Sequence, residues 1–338
     1  MIYDGVRVVD LTSGIAGAYC AKLLADLGAD VVFAEPVDDA LFTYLRTSQR
    51  YAASPSGYLE HADVVLVGEP GRAPTGSPLV TVSITPVGHG GPDDGLELPE
   101  EVLQARSGSL SIHGHAHLPP LTVGGHLGEY VTGAFGALGA ATAWFRASRT
   151  GTPEHVDVSM LEAMQMTLAV TPTIMARFPG GRLMSFRWVM IPGNEPTGDG
   201  RYVGITTVTT QQWLSLCDAM GRPDLKSDDE LTTMLGRFTR ADEVNGIIRG
   251  WTGTHSADEI VDALVAARVP AAILGNGREL PRNPQLAARD VYVRQPGESW
   301  IRPRAPFRFH RIADRELAPP GVAGVPWEAT ARPARPDA

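Results

Sequence analysis

The start of the chain contains a strand, a tight turn, a helix and a second strand in close succession. Residues 5–11 form a β-branched run, three leucines within residues 23–27 recur at helical spacing, and Gly28 ends the helix. Residues 31–34 then form a second short apolar run. Two strands joined through a helix predict a right-handed crossover between parallel neighbours. The chain therefore begins as the first unit of a parallel sheet.

The rest of the sequence predicts two domains. We expect further strands at residues 63–67 and 79–84, and 338 residues are enough for about two domains. A Gly- and Pro-rich stretch interrupts these patterns, and we place a linker in it at residues 186–200. The predicted organisation is a large α/β domain, a linker, a small α+β domain and a C-terminal segment that returns to the large domain, at residues 1–185, 186–200, 201–295 and 296–338.

Charge and composition argue against several classes of protein. The net charge is −9 and the arginines are scattered, so the basic patch of a nucleic-acid-binding protein is missing. A membrane span needs about 18 consecutive apolar residues, and no stretch of the sequence is that long. The N-terminus also lacks a signal-type pattern. We therefore expect a cytoplasmic protein with no membrane partner. Cys20 and Cys217 are far apart in the sequence, which argues against a disulfide framework or a thiolate zinc site.

Three histidines alternate near the middle of the chain. On an extended segment His113, His115 and His117 would point the same way and could meet one metal ion. Gly114 and the two prolines that follow favour a solvated loop, and no acidic residue lies nearby to complete the ligands. We therefore expect no metal.

A long helix begins near residue 128 and has one smooth face. Gly133, Gly136 and Gly139 follow one another at a spacing of three, although each glycine costs a helix about 1 kcal/mol relative to alanine. Such a face indicates that a backbone or a ligand approaches closely, or that the helix packs tightly and nothing more. Both interpretations remain open on the sequence alone.

Two further features could serve a ligand. Glu129 stands at the start of this helix, where free backbone N–H groups favour a carboxylate, as a catalytic group or only as a helix cap. The turn that contains Ile15, Ala16 and Gly17 could present N–H groups to an anion, or could simply require small residues.

Several ordered segments resemble the family III CoA-transferases, which include formyl-CoA and carnitine CoA-transferases and the related 2-methylacyl-CoA racemases. The resemblance covers most of the chain. It is carried by the opening segment VRVVDLTSGIAGAYCAKLLADLGADVVFAEP, by SITPVGHGGP, by VLQARSGSLSIHG, by the unbroken block PPLTVGGHLGEYVTGAFGALGAATAWFRASRTGTPEHVDVSMLEA, and by VPAAILGNGRELPRNPQLAARD.

The resemblance implies roles for particular residues. The family has an aspartate that forms covalent acyl and CoA adducts where this chain has Glu129, so Glu129 inherits the position of the nucleophile, and Glu100 could orient the nucleophile or the substrate. The racemases have a catalytic histidine where this chain has Pro99, which disfavours racemisation. The CoA-binding residues are expected to be Ile15, Ala16, Gly17, Arg46, Arg50 and Gln104. The backbone N–H groups expected to stabilise an oxyanion are those of Gly124, Gly125 and Gly128.

The resemblance also implies an architecture and a reaction. It implies a Rossmann-like parallel sheet in the large domain, a small α+β domain and an obligate homodimer of interlocked rings. The enzyme would move CoA from an acyl-CoA to a carboxylic acid, with CoA thioesters as substrates and no permanently bound cofactor. Because the nucleophile position is Glu, an acyl-CoA-binding subunit paired with a homologous chain, or an acyl-CoA isomerase, remains an alternative.

Overall fold

The computed structural model describes residues 1–37, 39–68, 78–114, 118–169, 192–312 and 315–328. The chain divides into two compact units, of which the first combines Met1–Arg187 with Asp290–Ala338 and the second is Trp188–Arg289. No helix in these described ranges is long and apolar enough to cross a bilayer.

A parallel sheet forms the centre of the large unit. Its seven described strands are β1 (Arg7–Asp10), β2 (Asp30–Phe33), β3 (Arg50–Tyr51), β4 (Val64–Val67), β5 (Val80–Thr85), β6 (Glu154–Ser159) and β12 (Gly321–Val322). They lie in the order β12-β3-β2-β1-β4-β5-β6, and every pairing is parallel. The order 3-2-1-4-5-6 is that of the Rossmann fold, in which the chain changes direction across the sheet between β1 and β4. The predicted parallel sheet is confirmed.

Six helices and a hairpin accompany this sheet in the described part of the large unit. The helices are α1 (Ile15–Asp26), α2 (Ala40–Leu45), α3 (Ser56–Leu59), α4 (Glu100–Ser107), α5 (Leu127–Thr150) and α6 (Met160–Thr167). A 3₁₀ turn covers Ser109–Ile112, and β10 (Tyr292–Arg294) pairs antiparallel with β11 (Ile301–Pro303).

The small unit is α+β. An antiparallel sheet joins β7 (Asn194–Pro196), β8 (Tyr202–Ile205) and β9 (Ala271–Ile273). The helices are α7 (Thr210–Ala219), α8 (Met234–Thr239), α9 (Ala241–Thr252), α10 (Ala257–Ala266) and α11 (Pro284–Ala288). Trp213, Ile248 and Leu264 are among the fully buried side chains of its own core. Ser256 and Glu259 form a capping box that begins α10.

The glycines of α5 allow close contact with α1. A Cβ at Gly133 would lie 2.4 Å from the backbone oxygen of Ala16, and one at Gly136 would lie 3.3 Å from the Cys20 sulfur. At Gly133 the smooth face therefore admits another backbone, which was one of the two interpretations of the sequence, whereas Gly139 faces the side chain of Val156.

We expect Gly133→Ala to destabilise the large unit, because the added methyl group would push α5 away from α1. Overpacking of this kind costs about 1–3 kcal/mol. Gly246→Ala is the matched control, since Gly246 lies within α9 and a Cβ there meets nothing within 4 Å. It should stabilise the chain by up to about 1 kcal/mol. Urea denaturation of both variants measures these differences, and equal stability of the two would contradict the close contact.

The C-terminal segment joins the large sheet. Strand β12 pairs with β3, and the indole Nε1 of Trp327 donates a hydrogen bond of 2.8 Å to Asp30 Oδ2. The sequence predicted the return of this tail but not the strand, because two residues are too few to show a β periodicity.

Candidate functional site

A cavity of about 500 Å³ opens at the carboxyl ends of the central strands of the large unit. The residues after β1, β4 and β5 contribute to it, together with the first turns of α1 and α5. Its described lining consists of Leu11, Thr12, Ser13, Ala16, Gly17, Glu35, Gly68, Ile84, Thr85, Pro86, Glu97, Leu98, Glu129 and Met160. Open α/β sheets bind ligands at this point, where the order of the strands reverses.

Glu129 lies in the first turn of α5 and lines this cavity. Its side chain is 21% exposed, so the carboxylate is accessible but partly desolvated. Gly14, the residue directly before α1, also lies near this carboxylate, since a Cβ at Gly14 would lie 3.9 Å from Glu129 Oε1. The absence of a side chain at Gly14 therefore leaves room beside this oxygen.

His126 contacts the other oxygen of Glu129. Its Nδ1 lies 2.9 Å from Glu129 Oε2, and its backbone has φ 56°, a left-handed conformation that a histidine rarely adopts. This conformation begins α5 and turns the imidazole towards the carboxylate three residues later. Sequence reasoning missed His126. The available signal was its position directly before the predicted helix.

Glu100 fixes the start of α5. Its Oε1 accepts hydrogen bonds from the backbone N–H of Gly128 at 2.8 Å and from Gln104 Nε2 at 2.9 Å. Its Oε2 lies 3.8 Å from His126 Nδ1, and the side chain is 9% exposed. The structure thus brings together Glu100 and Glu129, which are 29 positions apart in the chain.

Gln104 secures the loop before α5. Its Oε1 accepts a hydrogen bond from Val123 N at 2.8 Å, and its Nε2 donates one of 2.8 Å to Val123 O. Nε2 donates its second hydrogen to Glu100, so both hydrogens of this amide are engaged within the structure. The predicted contact of Gln104 with CoA stays a prediction.

The environment of Glu129 shifts its acidity. Burial raises the pKa of its carboxyl above the ordinary value, the neighbouring His126 lowers this pKa, and the negative charge of Glu100 raises it. The rise prevails. Glu129 therefore holds its proton at a higher pH than a solvated glutamate does.

The three backbone N–H groups predicted to stabilise an oxyanion differ in their hydrogen bonding. The N–H of Gly128 donates a hydrogen bond to Glu100 Oε1, and its role as an oxyanion donor stays a prediction. Gly124 and Gly125 are exposed, and among the described residues none accepts a hydrogen bond from their N–H groups. Their role as oxyanion donors stays a prediction.

The two arginines expected to bind CoA are both engaged elsewhere. Arg46 is 1% exposed, forms an ion pair of 2.6 Å with the buried Asp10, and stacks on Phe33. Arg50 forms an ion pair of 2.6 Å with Asp30. Neither belongs to the described lining of the cavity. Contact of either arginine with CoA stays a prediction.

The turn after β1 supplies part of the cavity wall. Ala16 and Gly17 line the cavity, whereas Ile15 is buried in a cluster with Ala18 and Leu45. A Cβ at Gly17 would lie 1.7 Å from Thr12 Oγ1, so this turn needs a glycine for steric reasons. Of the alternating histidines, His115 and His117 lie outside the described residues, and His113 Nδ1 lies 2.7 Å from Ser109 O.

Comparison with protein families gives one match over most of the chain. The model of a family described as CoA-transferase family III matches residues 3–59 and 75–323. These two ranges include both glutamates of the site, whereas β4 and the cavity-lining Gly68 lie in the gap between them.

Individual proteins are similar to the chain over nearly its whole length. A succinyl-CoA–D-citramalate CoA-transferase of Chloroflexus aurantiacus is 25% identical and covers 96% of this chain and 89% of its own. A formyl-CoA:oxalate CoA-transferase of Streptomyces coelicolor is 27% identical, with coverage of 87% and 85%. The crystal structure of a CAIB/BAIF family protein from Brucella suis superposes with a TM-score of 0.79 at 21% identity and covers 95% of each chain. This last likeness shows the fold.

Proposed function

The chain belongs to CoA-transferase family III, and on that premise we propose that it transfers CoA from an acyl-CoA to a carboxylic acid through a covalent intermediate on Glu129. The observation that carries this proposal is the position of the Glu129 carboxylate on the wall of the cavity at the carboxyl ends of the central strands. Its relatives named above are CoA-transferases for different acids, which is consistent with this reaction class.

The proposed reaction has four steps and needs no external electron donor or acceptor. A Glu129 oxygen attacks the thioester carbonyl, the C–S bond breaks, and CoA leaves as a thiolate from a mixed anhydride. The thiolate then attacks the glutamyl carbonyl, which releases the first acid and leaves a glutamyl-CoA thioester. The acceptor carboxylate attacks this thioester and expels the thiolate. The thiolate finally attacks the acceptor's carbonyl, which forms the new acyl-CoA and restores Glu129.

His126 supports this mechanism as a positioning residue. It contacts Glu129 Oε2 and leaves Oε1, the oxygen beside Gly14, to react. Glutamate is one methylene longer than the aspartate of the family. The additional rotatable bond would let the carboxylate take several positions. A fixed second oxygen restricts that freedom, and a displacement of about 1 Å can cost about 100-fold in rate.

The raised pKa of Glu129 predicts an acid limb in the rate of adduct formation. Only the carboxylate attacks a thioester, so the rate should fall as the pH drops through this raised pKa, at a higher pH than for an ordinary glutamate. His126→Gln removes an influence that lowers the pKa, so the limb should move to still higher pH. Rapid-quench mass measurements of the adduct across the acidic range test this. A limb that stays in place in His126→Gln would contradict the assigned contact.

Exposure to a panel of acyl-CoAs tests the function itself. We expect the intact mass to increase by an acyl or a CoA adduct, and hydroxylamine trapping followed by peptide mapping should locate it at Glu129. Exchange of labelled CoA between two acids by a chain that carries no modification at Glu129 would refute the mechanism but not the activity.

We also propose that the chain forms the interlocked homodimer of its family. An apolar groove in the large unit supports this, since it lies between α5, α6 and β6, and β6 is the last strand at its side of the described sheet. Leu138 and Met166 line the groove and are 61% and 66% exposed. Light scattering should give twice the chain mass of 36.1 kDa, without dissociation on dilution.

A second candidate is a partner subunit in a heteromer. The glutamate at the nucleophile position favours it, as does a relative named as the beta subunit of a succinyl-CoA–L-malate CoA-transferase, which is 27% identical and covers 80% of this chain. Purification from its native cells together with a second, aspartate-bearing homologue would support this candidate. Robust exchange by the isolated chain would exclude it.

A further inference from the structure

Three side chains at the start of α5 place potential metal ligands around one point. The ligand atoms of Glu100, His126 and Glu129 all lie within 4.8 Å of one another. His126 Nδ1 lies 2.9 Å from Glu129 Oε2 and 3.8 Å from Glu100 Oε2. A tetrahedral or five-coordinate ion with bonds of about 2.0–2.2 Å needs its ligand atoms at about these distances from one another. Small rotations of the three side chains would bring their ligand atoms into this arrangement.

We propose that Glu100, His126 and Glu129 bind a divalent transition metal ion of the Zn²⁺ class, and that this ion and the acyl chemistry at Glu129 exclude each other. The first half of the proposal concerns binding alone. The second half rests on the function proposed above.

The ligands are held in place by surrounding hydrogen bonds, as metal ligands are. Glu100 Oε1 receives bonds from Gly128 N and Gln104 Nε2, which leaves Oε2 to face His126. Gln104 is in turn fixed at both ends of its amide by Val123, three residues before His126. Partners of this kind orient ligands and are part of what gives a site its affinity.

The charges at the site also favour a cation. Two carboxylates face one imidazole, and the Glu100 side chain is about nine-tenths buried. Within the described part of the chain, the one polar contact of Glu100 Oε2 is that of 3.8 Å with His126 Nδ1. A divalent ion would neutralise both carboxylates at once, whereas a single proton neutralises only one.

The donor set selects the kind of ion. One imidazole nitrogen and two carboxylate oxygens suit Zn²⁺ better than Mg²⁺ or Ca²⁺, which prefer oxygen ligands alone. The ion would replace the hydrogen on His126 Nδ1, and the imidazole would keep its proton on Nε2.

A bound metal ion would make the Glu129 carboxylate unavailable as a nucleophile. A lone pair of Glu129 given to the ion is no longer available to a thioester, so Zn²⁺ should suppress adduct formation, and a chelator should restore it. The effect would make the transferase sensitive to transition metals through its own catalytic side chain.

Calorimetric titration of the full chain with ZnCl₂, without CoA because its thiol binds zinc, tests the site. We expect one ion at this site, and His126→Gln and Glu100→Gln should each weaken it by at least about 10-fold. His89→Gln is the matched control, because His89 lies in the same unit but contacts Ser83 Oγ instead. It should bind zinc at this site as the unaltered chain does.

The outcomes separate the two proposals. Unchanged zinc affinity in both His126→Gln and Glu100→Gln, or no saturable binding, would overturn the site. Normal binding without loss of adduct formation would overturn the mutual exclusion. A chain that forms no adduct even in the absence of zinc would refute the proposed transferase mechanism, while the titration would still decide whether the metal site exists.

Discussion

Glu129→Gln is expected to abolish CoA transfer, with a loss of at least about 1,000-fold, as is typical when a covalent nucleophile is removed. The amide has nearly the same shape and lines the same cavity, but it cannot form an anhydride. The measurements are the exchange rate of labelled CoA and the intact mass after incubation with acyl-CoA. Thermal unfolding should change little, because Glu129 is partly exposed and its contact with His126 is at the surface.

Glu129→Asp separates the chemical group from its position. The carboxylate is retained but withdraws by about 1.3–1.5 Å, which should break the 2.9 Å contact with His126 and slow adduct formation by about 10- to 100-fold without abolishing it. Transfer at the normal rate by Glu129→Gln would show that another group carries the chemistry. A faster rate in Glu129→Asp would show that His126 does not position the native side chain.

Arg46→Met is expected to produce the largest loss of stability. Asp10 is 0% exposed and its Oδ2 pairs with Arg46. The variant leaves this buried carboxylate, among the residues that the structure describes, with only its hydrogen bonds from Thr12. Breaking a buried ion pair from one side costs about 3–5 kcal/mol. The measurement is the free energy of unfolding from urea titration at a fixed protein concentration.

Two further variants make this result specific. The double variant Asp10→Asn with Arg46→Met should recover much of the loss, because no uncompensated charge remains buried. Arg50→Met should cost at most about 1 kcal/mol, since its ion pair with Asp30 is 31% and 44% exposed. If Arg46→Met instead raised the KM for acyl-CoA and left stability unchanged, Arg46 would have the CoA-binding role predicted from the sequence.

The fold was largely predictable because its signals are local. The β-branched run, the helical leucines and Gly28 lie within one short stretch, and the observed β1, α1 and β2 follow them closely. The start of α5 was predicted to within a residue, since the glycine-rich turn marks it. Strand β12 was missed, because it exists only through its pairing with β3, which lies about 270 residues earlier.

The candidate site was predictable only in part. Glu129 stood out through its place at a helix start and through the family resemblance. His126 did not, because its position before the predicted helix reveals neither its left-handed backbone nor the direction of its imidazole. The proposed metal site depends on His126 and Glu100, whereas the alternating histidines lie in a different segment, at residues 113–117.

The sequence by itself determined the strand–helix–strand unit that begins the parallel sheet, the carboxylate in the first turn of α5 and membership of the family, since periodicity and turn residues act over a few neighbouring positions. Only the tertiary structure decided which partners the charged side chains take. It engages Arg46 with Asp10 and brings Glu100, His126 and Glu129 to one point. Ion pairs and ligand clusters depend on distances between residues far apart in the chain, and such distances are defined only when the sheet and its helices have packed.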